Sequence, residues 1–439
     1  MLGRLDKAGF TVDHESQMVR IPPVLLDSAI SGINRSFCLY DRNGKPAALT
    51  DHKSAFMGAG TPVNVFDLET GLHRPAAQAD VSKLVRLQEA LPEVDIVRPA
   101  VTATDQGECS DLVEIAELIR NCSKPMVHRT LSADRVDAAV EMLIAAAGSE
   151  EAFREKPNFA TLYCPISPSY FTPENIRCMI RWAEYGVPIT ILSMAMGGAS
   201  APVTLLGELV VINTEILAWI VVLETLYPGT PLLYGSVSAV LDMRSGLLPL
   251  GAPERGMING GAARMGHYYG LPSMCGGLSS DAKELDSQAG YEKCLTAVPL
   301  LLEGANIIYG VGAVDAGNTI SYQQMILDNE FIAGLRRLVE GISVHDLDEE
   351  VDLIKANTPR GNFLKAKHTR SHFGEHWQPD ILSREPYESW LAKGESIEDI
   401  CRNKAKQILE DKQPLIEESV EIELERILKQ YIPDFHFAS

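Results

Sequence analysis

The chain has 439 residues, 46% of them hydrophobic and 22% charged, and its 39 basic and 59 acidic side chains give a formal net charge of −20. An apolar fraction near one half supports a large buried core and excludes wholesale disorder. A strongly acidic surface repels phosphate backbones and anionic lipid, so nucleic-acid and membrane-surface roles are disfavoured, while a cationic ligand or partner is permitted.

Residues 1–61 carry turn signals at 41–44 and read as an N-terminal cap. No apolar core followed by a small-residue cleavage site is visible there, so no signal peptide is expected. From residue 62 one pattern repeats: a short apolar run, a polar or glycine-rich stretch, then an amphipathic helical segment. The runs fall at 63–67, 94–99, 125–129, 159–164, 188–193, 231–235, 271–275 and 306–310, with helical segments at 80–91, 110–119, 134–147, 172–186, 204–227, 254–269, 288–303 and 322–340. The starts of the runs recur at the length of one strand–loop–helix–loop unit. Eight uninterrupted units predict an α/β fold, a (β/α)₈ TIM barrel over 62–340, with an open doubly wound sheet as the alternative.

The greasiest stretch, 209–227, is interrupted by Asn213, Glu215 and Glu224 and reads as a buried helix rather than a membrane span. Residues 341–439 are richer in charge. Within them 397–429 reads as two amphipathic helices, a C-terminal extension that wraps the barrel or joins an oligomer contact. The eight cysteines form no CxxC pair, which suits free thiols in a reducing cytoplasm.

In a TIM barrel the reactive groups sit at the C-terminal ends of the strands and in the loops that follow. Those positions hold Asp67, then Arg98, Thr102 and Thr104, then His128 and Arg129, then Tyr163 and Cys164. Met194 and Met196 come next, followed by Tyr234, by Ser279, Ser280 and Asp281, and by Tyr309, Asp315 and Asn318. A nucleophile–base pair or a metal triad is missing from this set. Aromatic faces attract a quaternary ammonium, and an arginine can grip a carboxylate in a fork. Tyr163, Tyr234 and Tyr309 are therefore candidates for a cation cage, with Met194 beside them. Arg98, His128 or Arg129 would face a carboxylate, and Asp281 would be a polar contact or a helix cap. Gly276, Gly277, Gly310 and Gly312 form no dinucleotide fingerprint; they read as turns that let a large group such as a cofactor approach the backbone.

In the extension, His368, His372 and His376 are spaced by four beside Glu375, a pattern that could hold zinc on one helical face. Gly374 and Pro379 break that helix, so a structural role is favoured and no metal is assigned.

The segments SSDAKELDSQAGYEK (279–293), LLEGANIIYGVG (301–312), KHTRSHFGEHWQPDILSREPYESW (367–390) and LDKAGFTVDHESQMVRIPPVLL (5–26), in that joint arrangement, resemble the trimethylamine methyltransferase superfamily. These are corrinoid-dependent methyltransferases with a TIM-barrel fold. The archetype carries pyrrolysine in the loop after the seventh strand, whereas here 276–283 holds only ordinary residues, with Leu278 near that position. The resemblance thus implies a non-pyrrolysine member that demethylates a quaternary amine such as glycine betaine, proline betaine or carnitine. Tyr309 stands where the glycine betaine branch carries a histidine, which points away from glycine betaine itself. The corrinoid would ride on a separate partner protein docked at the barrel mouth, since no DxHxxG-type segment occurs here. A homo-oligomeric enzyme in the cytoplasm is expected. The competing readings are a barrel lyase or hydrolase with a perturbed acid or base, and a binding protein that captures a methylated amine without turnover.

Overall fold

The computed structural model describes residues 1–35, 37–47, 49, 54–410 and 414–437. Its centre is a ring of parallel strands: β1 (Ala55–Gly58), β2 (96–97), β3 (Met126–Val127), β4 (Phe159–Tyr163), β5 (Ile189–Ser193), β6 (Leu232–Ser236), β7 (Ser273–Gly276) and β8 (Ile307–Val311). Seven of these form one sheet in the order β1-β8-β7-β6-β5-β4-β3. The short β2 closes the ring through the parallel bridges Met57–Ile96 and Val97–Met126. Closure removes both sheet edges and settles the barrel over the open doubly wound sheet.

Each strand is followed by a helix: α1 (Gln78–Ala90), α2 (Ser110–Asn121), α3 (Asp134–Ala147), α4 (Pro173–Glu184), α5 (Leu205–Leu226), α6 (Pro253–Tyr268), α7 (Ser287–Leu302) and α8 (Tyr322–Glu340). Local chemistry fixes their starts. Thr172, Thr204, Asp286 and Ser321 accept the N–H groups of Asn175, Gly207, Ala289 and Gln324 at the starts of α4, α5, α7 and α8. Helix α5 is long and apolar enough to cross a bilayer. In the fold it is a barrel helix, with Ile212, Ile216, Trp219, Ile220 and Leu223 packed into the core.

One strand differs from the sequence reading. The run 63–67 is not the first barrel strand, because β1 lies upstream at Ala55–Gly58. Asn64–Phe66 instead joins a rim sheet with His73–Pro75, Thr319–Ser321 and Ala313–Val314. Its alternating burial is that of a half-exposed strand, and this alternation is what made it conspicuous. The four residues of β1, with two glycines and an alanine at 58–60, carry little apolar signal.

Residues 37–47 and Leu49 seal the bottom of the barrel. Leu39 and Leu49 join Met57, Ile96, Leu162, Leu192, Leu233, Met274 and Ile307 in the cluster that fills the interior. Lys124 Nζ, just before β3, donates to the carbonyls of Gln88, Leu91 and Val94 at 2.9, 2.8 and 2.7 Å. Arg42 donates to the carbonyls of Cys122 and Leu415 at 2.7 Å each. Ahead of this plug, the helix Pro23–Gly32 packs against α5. At the other end of the chain, Ile397–Ile408 packs on α8 and Glu418–Leu428 on α3, so this part of the extension wraps the barrel. The residues between these two helices, 411–413, lie outside the described set, as do 36, 48 and 50–53 in the N-terminal region.

Candidate functional site

Strand pleat decides which end-of-strand residues face the barrel axis, because successive side chains point to opposite faces. Leu162, Leu192 and Leu233 point inward, so their neighbours Tyr163, Ile191 and Tyr234 point outward. The register confirms this layering, with Ile191 paired to both Tyr163 and Tyr234.

Tyr163 is fully buried between barrel and helices, where its hydroxyl lies 3.0 Å from Thr130 Oγ1 and accepts from Trp182 Nε1 at 3.1 Å. Tyr234 is equally buried; its hydroxyl donates to Asn213 Oδ1 of α5 at 3.0 Å, and its ring stacks on Tyr269. Neither tyrosine reaches the mouth, which removes both from the cation cage. The one-residue parity of the strand separates them from Tyr309, which packs against the interior cluster.

The same parity sorts the third strand. Val127 faces inward, and His128 faces out to α2, its Nε2 2.8 Å from Glu114 Oε2. His128 therefore packs against a buried glutamate behind the barrel wall and does not face the mouth. Asp281 is also spoken for: its carboxylate accepts the N–H groups of Leu250 and Gly251 at 2.7 and 3.1 Å and so fixes the approach to α6. It caps no following helix, since Asp286 does that for α7.

The glycines are filled by the chain itself. A β-carbon on Gly310 would lie 2.1 Å from the Gly277 carbonyl oxygen, and Gly310 sits at φ +149°. Only glycine fits where the ends of β7 and β8 press together. One on Gly277 would meet Ile308 and Thr296, and one on Gly312 would meet Met325 at 2.8 Å. These positions serve internal packing rather than the approach of a cofactor. At Gly276 the missing side chain admits Arg255, whose Nη2 would be 2.5 Å from a β-carbon there.

What remains at the mouth is a cluster of cationic side chains. Arg98 is inward-facing and 4% exposed, with its guanidinium carbon 5.8 Å from the centre of the Tyr309 ring. Burial lowers its pKa; Tyr309 opposes that shift and neighbouring Arg129 adds to it. Arg98 Nε is buried without a hydrogen-bond partner. Neither the Arg98 nor the Arg129 guanidinium forms an ion pair or hydrogen bond among the described residues. Cys164 lies beside them, its thiol pushed up by burial and drawn down by Arg129 and Arg98. The phenol of Tyr309 is raised to about 12 by burial, against the pull of Arg255 and Arg98, so it is neutral at physiological pH. Met194 stands 44% exposed above β5.

Two residues of the mouth escaped the sequence reading. Arg255, near the start of α6, donates from Nη1 to the Val237 carbonyl at 2.9 Å and from Nε to Ser279 Oγ at 3.3 Å. A buried arginine followed by Gly256, Gly260 and Gly261 was the available signal: glycines on that helix let it sit close to the barrel. Glu208, in the first turn of α5, is fully buried against the Gly197 backbone, and burial, outweighing the pull of that backbone N–H, raises its pKa to about 7. It occupies space left by Gly197, where a β-carbon would lie 2.7 Å from its Oε2. Asp67, by contrast, turns out to be a turn residue of the rim, paired with Arg74 at 2.8 Å. A separate cavity of about 700 Å³ opens between the rim sheet and the loop after β7, lined by Phe66, His73, Lys283 and Asp315 but by none of the mouth arginines.

Known proteins match this chain along nearly its whole length. The family model described as trimethylamine methyltransferase (MTTB) matches residues 1–432. A trimethylamine methyltransferase MttB of Desulfitobacterium hafniense (strain DSM 10664 / DCB-2) is 36% identical over 390 residues, which is 88% of this chain and 79% of the relative. The corresponding Methanosarcina thermophila enzyme is 33% identical, covering 90% and 85%. A glycine betaine methyltransferase of Desulfitobacterium hafniense (strain Y51) is 27% identical over 95% of this chain and 88% of its own length. Among solved structures, the monomethylamine methyltransferase of Methanosarcina barkeri superposes with a TM-score of 0.53 at 13% identity, covering 93% of this chain and 85% of that one, and so shares the fold.

Proposed function

The chain belongs to the trimethylamine methyltransferase family, and from that premise we propose that it moves a methyl group from a carboxylate-bearing quaternary amine to the corrinoid of a separate partner protein. The observation that carries this reading is the pair of unpartnered guanidinium groups, Arg98 and Arg129, beside Tyr309 at the barrel mouth. Arg98 is buried and Arg129 half-buried, with neither guanidinium hydrogen-bonded; leaving such groups unpaired is costly, and a ligand carboxylate offsets that cost. A ligand without an anionic end, such as trimethylammonium, would meet only repulsion there.

The charge layout also orients a zwitterion. Its carboxylate goes down to the arginines, and its ammonium is pushed away from them toward the open side, where Met194 is exposed. The methyl groups then point out of the barrel toward a docked partner. Tyr309 lends one aromatic face near Arg98 rather than a closed cage.

The chemistry asks little more of the chain. A Co(I) corrinoid supplies a strong nucleophile when the partner is docked. The C–N electron pair leaves with a neutral tertiary amine, so no proton donor is needed at the nitrogen. The chain's task is to hold the amine so that one N–CH₃ bond lies in line with the acceptor, which is catalysis by proximity and orientation. Tyr309, neutral at working pH, requires no change of ionisation in the cycle.

The test combines the purified chain, a reduced corrinoid partner and a panel of glycine betaine, proline betaine, carnitine and trimethylamine, followed by the corrinoid absorption spectrum. Methylation of the corrinoid with a carboxylated quaternary amine, and not with trimethylamine, is the expected result. Turnover of trimethylamine alone refutes the substrate class, and binding without any turnover leaves a binding protein.

A further inference from the structure

The segment 341–394 leaves the barrel after α8 and builds almost no core of its own. Its helices Leu347–Asn357, Lys367–His372 and Tyr387–Lys393 contain no buried residue. Isolated helices of this length are marginal in water, and small units without a core need a staple. The attachments to the barrel lie late in the segment: Glu330 of α8 accepts the N–H groups of Asp380, Ile381 and Leu382, and Trp377 covers Gly334.

Between those points the fold gathers three ligand-type side chains from two stretches of chain. His345, His372 and Glu375 place one ligand atom each within 4.8 Å of one another. Glu375 divides its carboxylate between the two rings, with Oε2 3.0 Å from His345 Nε2 and Oε1 against His372 Nδ1. The His345 and His372 rings pack at 4.7 Å between centroids, and His368 lies 4.2 Å beyond His372 with its Nε2 3.1 Å from Glu350. The spacing by four in the sequence suggested His368, His372 and His376. The helix ends at His372 and a 3₁₀ turn over Phe373–Glu375 follows, so His376 is not part of the group and His345 takes its place.

We propose that His345, His372 and Glu375 bind one zinc-class divalent cation that fastens 341–394 into its folded form. Two imidazole nitrogens and a carboxylate oxygen are the donor set such a cation prefers, at about 2.0–2.2 Å from each atom. Ligand atoms around a tetrahedral ion stand roughly 3.3 Å apart, so the present spacing needs only small rotations of the side chains. Water completes the fourth position. His345 directly precedes Asp346, which caps Leu347–Asn357 by accepting the N–H groups of Asp348 and Glu349, so this ligand is held at a defined turn. Asp348, Glu349 and Glu350 in the same turn add negative potential for a cation. His368, braced on Glu350, supports the His372 ring from its far side. Binding would tie the start of the segment to its middle and close the loop that carries Leu347–Asn357.

The experiment uses the full chain, stripped with chelator and dialysed. It is titrated with Zn²⁺ by calorimetry and with Co²⁺ by visible absorption. One ion per chain is expected, together with the intense visible bands of a low-coordinate cobalt site. His345→Ala and His372→Ala should each weaken binding by about 100-fold or more. His376→Ala should leave it unchanged. Trypsin cleavage after Lys355, Arg360, Lys365 and Lys367 should be slowed by Zn²⁺ in the parent chain and not in the two variants. Because all three ligands lie on the surface, far-ultraviolet circular dichroism should match across the set. No binding to the parent chain, binding that survives both variants, or cleavage indifferent to Zn²⁺ would each overturn the proposal.

Discussion

The two ends of the barrel treat buried cations in opposite ways. At the bottom, Lys124 directs all three N–H bonds at carbonyls, and Arg42 is tied to the carbonyls of Cys122 and Leu415. At the mouth, the Arg98 and Arg129 guanidinium groups have no such partners among the described residues, and Glu208 is buried with no cation beside it. The framework around the mouth nonetheless holds a buried pair of opposite charges. Lys293 and Asp328, both with 0% side-chain exposure, meet at 2.6 Å, and they hold the Gly310 carbonyl and the Gly312 N–H at 3.2 and 2.7 Å. Single buried atoms elsewhere also lack a partner, Arg42 Nε among them, but a guanidinium with no hydrogen bond at all marks where binding energy is held in reserve, because stability alone would have selected against it.

Four substitutions break or sharpen this contrast. The largest effect belongs to Asp328→Ala, which strands the Lys293 ammonium in the core and should cost about 3–5 kcal/mol in urea unfolding, since removing one partner leaves an uncompensated charge. If the cost is under 1 kcal/mol, the pair is not the support it looks to be. Next comes Arg98→Ala. It should weaken binding of the active quaternary amine about 100-fold, or about 2.7 kcal/mol, by calorimetry. Unfolding stability should hold or rise, because an unpaired buried charge has been removed. Loss of stability with intact binding would place Arg98 among the structural cations. Lys124→Met is the mirror case. It should destabilise the chain by about 2–3 kcal/mol, leaving three carbonyls without their donor, and should not change amine affinity.

The architecture was legible because it rests on repetition. Seven of the eight apolar runs are barrel strands at the spacing of one strand–helix unit, a pattern that can come from little else, and Thr172, Thr204 and Ser321 cap the helices that follow. Register was not legible. Whether Tyr163 or Leu162 faces the axis depends on a single-residue phase, and in strands buried on both faces both phases are apolar, so the pattern carries no sign of which is which. Arg98 and Tyr309 were found because a strand-end position and a side-chain type coincided. Arg255 was missed because it comes from a helix and reaches the mouth only through the gap left by Gly276. His345 was missed for a related reason: it lies 27 and 30 residues from its partners, and only folding brings it to them.

The smallest effect concerns Glu208 and is one of pH. Burial raises its folded pKa to about 7, from an ordinary value of 4.5. The folded chain therefore holds a proton at this site that the unfolded chain has lost between pH 4.5 and 7. Stability from this group is full below pH 4.5, declines as pH rises through that window, and is flat above pH 7. Glu208→Gln keeps the shape and removes the ionisation, so the gap between variant and parent should widen from pH 5 to 8 in favour of the variant. A shift of this size corresponds to about 2 kcal/mol once relaxation around the carboxylate is allowed for. Urea midpoints at pH 5, 6, 7 and 8 check it. A constant gap across that range would mean that Glu208 is ionised throughout, and that the mouth supplies it with a counter-charge. A mouth guanidinium engaged with Glu208 would no longer stand free for a ligand carboxylate, and the distinction between the two ends would collapse.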